Sequence, residues 1–298
     1  MNNFSKSDHP EAQLGIVYAF LAFISWGILP IYWKLLDNVP SFEILAHRML
    51  WSAAFILVLL AVKKRLGEFQ DLLESRKQIW MLLGTASLLG VNWFVYIYGV
   101  NTNRVVETSL GYFINPLLNV LMGILFLKER LNFWRGLAVA LASLGVLNYL
   151  WNFGSLPWIA LSLAFTFSLY GLLRKVIPVK PLVGLLIETS LLASLAAILI
   201  VIWKVEGSGN FGGEWRIAIL LIGAGIVTSL PLLWFTNAAK RLRYSTVGFI
   251  QYLTPSIQLI IGVYLYQEPF TTTHSITFGL TWTGLVIFSI NSFNEQSV

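Results

Sequence analysis

Four ionisable side chains fall inside long apolar runs, and they are where this sequence could do chemistry: Glu43, His47 and Arg48 in one run, Glu188 in a later one. A charge at membrane depth costs a few kcal/mol or more unless it is paired or hydrated, so each is a candidate for binding or coupling. Glu43 and His47 are four residues apart, hence on one helical face, where they can pair or share a proton. Glu43 also follows Pro40 and Ser41, where a carboxylate favours the start of a helix, and that structural role is preferred. His47 and Arg48 lie about 9 Å or more into the helix at 1.5 Å per residue, too deep for capping. Arg48 can hold a ligand carboxylate, or it can be locked by Glu188 or by backbone carbonyls. Glu43, His47 and Glu188 are the titratable candidates should protons be involved.

Uncharged groups form a second pattern. Tyr112, Asn115 and Asn119 fall at i, i+3 and i+7, and so do Gln251, Thr254 and Gln258 in a later run, with Tyr252 beside them. Pro116 and Pro255, and Pro231 in a further run, are expected to break their helices, the first two freeing backbone carbonyls at mid-depth. Such stripes either line a wet cavity or glue helices together, and the cavity is preferred because aromatics join it. Asn92, Trp93 and Tyr96 cluster on one helical face, as do Pro231, Trp234 and Asn237; Trp26 and Tyr32 belong to the first run. Aromatic walls with a few amides suit flat, amphipathic solutes. Trp33, Trp80, Trp134, Trp151 and Trp215 lie near expected helix ends and are read as membrane-interface residues. Gly136, Ala140 and Ser143, with Ser275 and Gly279, are read as small faces for close helix packing.

The elements that must position these groups are membrane helices. The chain of 298 residues is 57% hydrophobic and 11% charged, with mean hydropathy +0.73, too apolar for a soluble core. Ten stretches reach the length needed to span the hydrocarbon layer, from Leu14 to Leu35 for the first to Ser275 to Ile290 for the tenth. His47 is then the only histidine within a span. There is no cysteine, which excludes disulfides and thiolate chemistry; neither HExxH nor GxSxG occurs, and no metal or cofactor is expected. The net charge of +6 sits in short loops and does not point to nucleic acid. The link Lys63 to Gln78 is open between a surface helix and a solvated loop, and Glu206 to Glu214 reads as a flexible linker.

The runs repeat. Displacing Ser109 to Gly145 by 139 positions lands it on Gly248 to Gly284 without a gap, bringing Pro116 onto Pro255, Gly123 onto Gly262, Glu129 onto Glu268 and Gly145 onto Gly284. A displacement of 141 brings Pro40 onto Pro181 and His47 onto Glu188. Two halves are expected, 1–150 and 151–298. Equivalent links differ in charge: Lys128, Arg130 and Arg135 have no basic counterpart around Gln267, whereas Lys240, Arg241 and Arg243 answer the single Arg104. Basic residues favour the cytoplasmic side, so the halves are inverted. With the N-terminus inside, fifteen of the 20 Lys and Arg fall on cytoplasmic segments and four on the opposite face, which places both termini in the cytoplasm. The links between the fourth and fifth runs and between the ninth and tenth are short, so each pair is expected to form an antiparallel hairpin.

The segments NWFVYIYGVN (Asn92 to Asn101), SLGYFINPLLNVLMGILFLKERL (Ser109 to Leu131), EILAHRMLWS (Glu43 to Ser52) and GFIQYLTPS followed by YQEPF (Gly248 to Phe270) resemble the EamA branch of the drug/metabolite transporter superfamily. The resemblance covers nearly the whole chain. It implies ten helices in two inverted five-helix repeats and a secondary transporter, usually described as an exporter, with a central cavity. Implied solutes are amphipathic drugs such as chloramphenicol, amino acids or other metabolites; implied partners are the lipid bilayer and protons or another coupling ion. The family's smallest members couple to protons through a glutamate in the first helix, and no carboxylate occupies the first helix here. A monomer is expected rather than a homodimer, and a membrane sensor that binds without transport is the alternative.

Overall fold

In lipid an open chain can satisfy its own backbone only as helix, and each long apolar run is one. The computed structural model describes residues 8–102, 104–153, 157–267 and 270–296; Glu268, named above, lies outside them. In chain order the elements are α1 (Asp8–Lys34), α2 (Ser41–Val62), α3 (Leu66–Glu74), α4 (Arg76–Asn101), α5 (Val105–Leu127), α6 (Phe133–Phe153), α7 (Trp158–Val176), α8 (Pro181–Glu206), α9 (Trp215–Arg241), α10 (Tyr244–Gln251), α11 (Leu253–Ile260), a π-helical turn Ile261–Leu265, and α12 (Thr272–Gln296). Ten of these stretches are long and apolar enough to cross a membrane, α10, α11 and the π turn together making one.

Local chemistry sets the ends. Pro40 and Pro157 precede α2 and α7, and Pro181 opens α8, because proline fits the first helical turn, where its missing N–H would be unpaired anyway. α8 stops at Gly207 in the left-handed region (φ 69°). Lys128 and Gln267 turn left-handed as well, with φ 54° and 56°. The link after α2 holds a helix, α3, which buries Leu72. Arg65 and Lys180 reach Glu68 at 2.6 and 2.7 Å and hold its carboxyl down to about 2.

Many large apolar side chains point outward, among them Phe126, Leu125, Leu195 and Val201. That surface suits lipid, not water. Inside the bundle, α1 and α2 pack on α9, α2 also on α8, α4 on α7 and α8, α5 on α7 and α10, and α11 on α1, while α6 pairs with α12.

Three expectations need correction. α5 and α9 run through Pro116 and Pro231 without interruption, since a proline removes one ladder bond and neighbouring helices hold the rest. Only the helix of Pro255 breaks, between Gln251 and Leu253. The two short links do not make closely packed hairpins, because a link fixes only where helix ends meet; α6 packs chiefly on α12. That contact does not cross at Gly136 or Gly279, which have open space beside them. It crosses where a Cβ on Gly145 would lie 2.9 Å from the Thr277 carbonyl oxygen, and one on Gly284 2.8 Å from that of Ala138.

Candidate substrate cavity

A cavity of about 830 Å³ lies among α1, α2, α4, α5, α6, α7, α9, α10, α11 and α12. It occupies the half of the bundle where α1 ends and α5 begins. Trp26, Pro30 and Trp33 supply one wall at helical spacing; Trp93, Tyr96 and Tyr112 supply another. Trp26 meets Phe167 edge-on at 5.7 Å, and Tyr149, Phe278 and His274 line the cavity from α6 and α12. This size is that of a small organic ligand's site.

Arg48 carries the permanent charge of this cavity, and among the described residues neither Asp nor Glu lines it. Its Nε donates to Thr228 Oγ1 at 3.1 Å. Its guanidinium carbon lies 4.8 Å from the Trp33 ring centroid and 5.3 Å from that of Trp93, within cation–π range of both.

The amides at the cavity floor are largely spent on helix contacts. Asn115 Nδ2 donates to the Ala164 carbonyl at 2.8 Å and to Ser168 Oγ at 3.0 Å, while its Oδ1 accepts from Gln251 Nε2 at 2.5 Å. Asn119 donates to Gln251 Oε1 at 2.7 Å. Asn92 Nδ2 donates to the Leu163 carbonyl and to Thr166, both at 2.9 Å. On the other side, Thr254 donates to the Phe23 carbonyl and Gln258 to that of Trp26. The stripes thus do both jobs: they face the cavity and bind its walls together.

Beyond the floor the bundle is closed by polar contacts. Glu129 accepts from Tyr244 N and Ser245 N and Oγ at the start of α10, where a helix N-terminus favours negative charge. Lys175 donates to the carbonyls of Ala239 and Leu242, Lys240 to that of Ile177, and Arg243 to that of Arg130. Glu188 lies at this end, buried, accepting from Thr85 at 2.5 Å and Tyr170 at 3.2 Å and paired with buried Arg174 at 3.5 Å. Its partner is Arg174 and not Arg48.

The remaining sequence candidates lie apart from the cavity. Tyr32 donates to the Leu220 carbonyl at 2.5 Å. Glu43 takes Asn210 N and Nδ2 and Phe211 N, so its carboxylate ties the 207–214 loop to α2. His47 sits 4.0 Å from it, stacked on Phe211 at 4.7 Å, and accepts from Trp51 Nε1. Trp234 packs on the main apolar core, Asn237 accepts from Arg241 at the closed end, and Tyr252 is buried with its hydroxyl toward the Phe113 carbonyl. Trp33, read from sequence as an interface residue, is instead a cavity wall; its spacing of seven from Trp26 was the available signal. His274 was missed because the tenth run was begun at Ser275, whereas α12 starts at Thr272 and carries it. Trp80, Trp134, Trp151 and Trp215 are exposed. Among the described residues no cluster of three or more His, Asp or Glu could hold a metal.

Ten apolar helices around a central ligand-sized cavity define a multi-pass membrane protein. Residues 13–151 match the model of the EamA-like transporter family. Over 290 residues the chain is 45% identical to an uncharacterized transporter of Vibrio cholerae, covering 97% of this chain and 96% of that one. It is 43% identical to the protein RarD of Escherichia coli, covering 97% and 98%. The chain belongs to the EamA-like transporter family, in its RarD-like group. A solved crystal structure shares its fold with TM-score 0.71 at 18% identity, over 92% of this chain and 96% of the other.

Proposed function

We propose that this member is a secondary transporter that exports small organic solutes by alternating access, with the cavity around Arg48 as its binding site. The observation that carries the reading is the cavity itself: both halves wall it, and beyond its floor the halves are joined by breakable polar contacts of Glu129 with Tyr244 and Ser245 and of Arg243 with Arg130.

We read 1–150 and 151–298 as inverted repeats whose exchange opens one end and closes the other. Paired contacts support this. Asn115 reaches the Ala164 carbonyl as its counterpart Thr254 reaches that of Phe23; Gly145 meets Thr277 as Gly284 meets Ala138; Lys128 and Gln267 turn alike. The basic-residue bias supports a cytoplasmic closed end and cytoplasmic termini, so the conformation described faces outward. One chain supplies every wall, which favours a monomer as the working unit.

The test is flux in sealed proteoliposomes for chloramphenicol, amino acids and aromatic solutes, with and without a pH gradient. Solute movement is expected, and binding without movement would make the protein a sensor. The gradient arm addresses coupling by Glu43, His47 or Glu188; several donors hold each of the two carboxylates, which supports a structural role for both.

A further inference from the structure

We infer that the cavity selects an organic anion, a monocarboxylate on an aromatic or apolar body, and that Arg48 is the residue that selects it. The inference rests on the cavity being the transporter's substrate site and names the class of substrate.

A cation at membrane depth needs compensation. A fully buried arginine of the bundle, Arg174, has Glu188. Arg48 has no carboxylate, only the Thr228 hydroxyl on Nε and two indole faces. Its two Nη groups have no protein acceptor among the described residues, and they form the edge of the guanidinium fork that fits a carboxylate through two parallel hydrogen bonds. Trp33 and Trp93 present ring faces to the guanidinium carbon, and an indole face does not take the place of a hydrogen-bond acceptor on that edge. Tyr96 and Tyr112 lie within electrostatic reach, and their hydroxyls can donate to the same anion.

The neighbouring amides add little competing polarity, because Asn92, Asn115 and Gln251 are already bonded between helices. What remains for the rest of the solute is aromatic wall: Trp26, Phe167, Phe113 and Phe278. Among the described residues no acidic side chain lines the cavity to favour a cation. Charge and surface together describe an anionic head on an apolar body.

The experiment is calorimetric titration of the purified full-length protein with 3-phenylpropionate, its uncharged amide and phenethylamine, which share one apolar body. Wild type is expected to bind the acid on the order of ten- to a hundredfold tighter than the amide, the range of a charge-assisted contact, and the amine more weakly still. Arg48→Gln should bring acid and amide within about twofold of each other, and Arg48→Lys should keep part of the preference, since a point charge lacks the fork. No binding of the acid, equal binding of acid and amide by wild type, or a preference surviving in Arg48→Gln overturns the inference. The wild-type comparison decides even if a variant fails to fold. Acid-selective binding without flux in sealed vesicles would remove the transporter reading and leave this one standing; flux without acid preference would do the reverse.

Discussion

The α1–α2 junction and the α7–α8 junction, counterparts in the proposed repeat, have opposite electrostatics. In the register that brings His47 onto Glu188, Trp33 falls on Arg174. At the closed end Arg174 and Glu188 neutralise each other, with Thr85 and Tyr170 on the carboxylate. At the cavity end the arginine is Arg48, on α2, and indole faces stand where a carboxylate could have been. A pair that neutralises itself belongs to the scaffold. A cation left without a counter-charge among the described residues, in a ligand-sized cavity, leaves that role to a solute.

This contrast predicts opposite outcomes for two similar changes. Glu188→Gln strands a buried guanidinium and should destabilise by about 3–5 kcal/mol, seen as a large fall in thermal midpoint in detergent. Arg48→Gln strands nothing and should leave the midpoint unchanged or raise it while abolishing acid selectivity. Equal destabilisation by both would break the comparison.

A second prediction tests the packing around the scaffold pair. A Cβ on Gly184 would lie 2.1 Å from Arg174 Nη1, so Gly184→Ala should destabilise by about 1–3 kcal/mol. The proposed repeat makes a third: Gly145→Val and Gly284→Val press on equivalent carbonyls and should cost similar amounts, about 1–3 kcal/mol each. Markedly unequal melting shifts would count against the pseudo-symmetry.

The smallest expected effect is at the surface. Glu68 has its folded carboxyl lowered from 4.5 to about 2 by Arg65 and Lys180, so its contribution is present above about pH 4.5 and is lost as pH falls toward 2. Because the pair is partly solvated, Glu68→Gln should cost only about 0.2–1 kcal/mol at neutral pH and nothing near pH 2, measurable as a convergence of the two melting curves on acidification.

The parts of this architecture that were legible from sequence are those written in spacing. Helices came from apolar run lengths, and the Tyr112, Asn115, Gln251 and Thr254 stripe from helical periodicity. What was not legible depends on which helix lies against which. Nothing in the positions of Arg48, Arg174 and Glu188 says which arginine the carboxylate meets; that follows from α7 and α8 placing Arg174 beside it. Trp33 was misread because helix ends are where interface aromatics and cavity rims both occur. Pro116 and Pro231 were overread because a proline's local cost can be absorbed by tertiary packing.

The most direct test of alternation uses the absence of native cysteine. A single cysteine replacing Thr228, beside Arg48 in the cavity, is exposed to an impermeant maleimide on either face of sealed, oriented vesicles, with and without Glu129→Gln to loosen the closed end. Alternating access predicts labelling from both faces, with the inner-face rate raised by Glu129→Gln and the outer-face rate lowered. Labelling that comes from one face only, and stays so when Glu129 is changed, would contradict the account and leave a binding protein that does not transport.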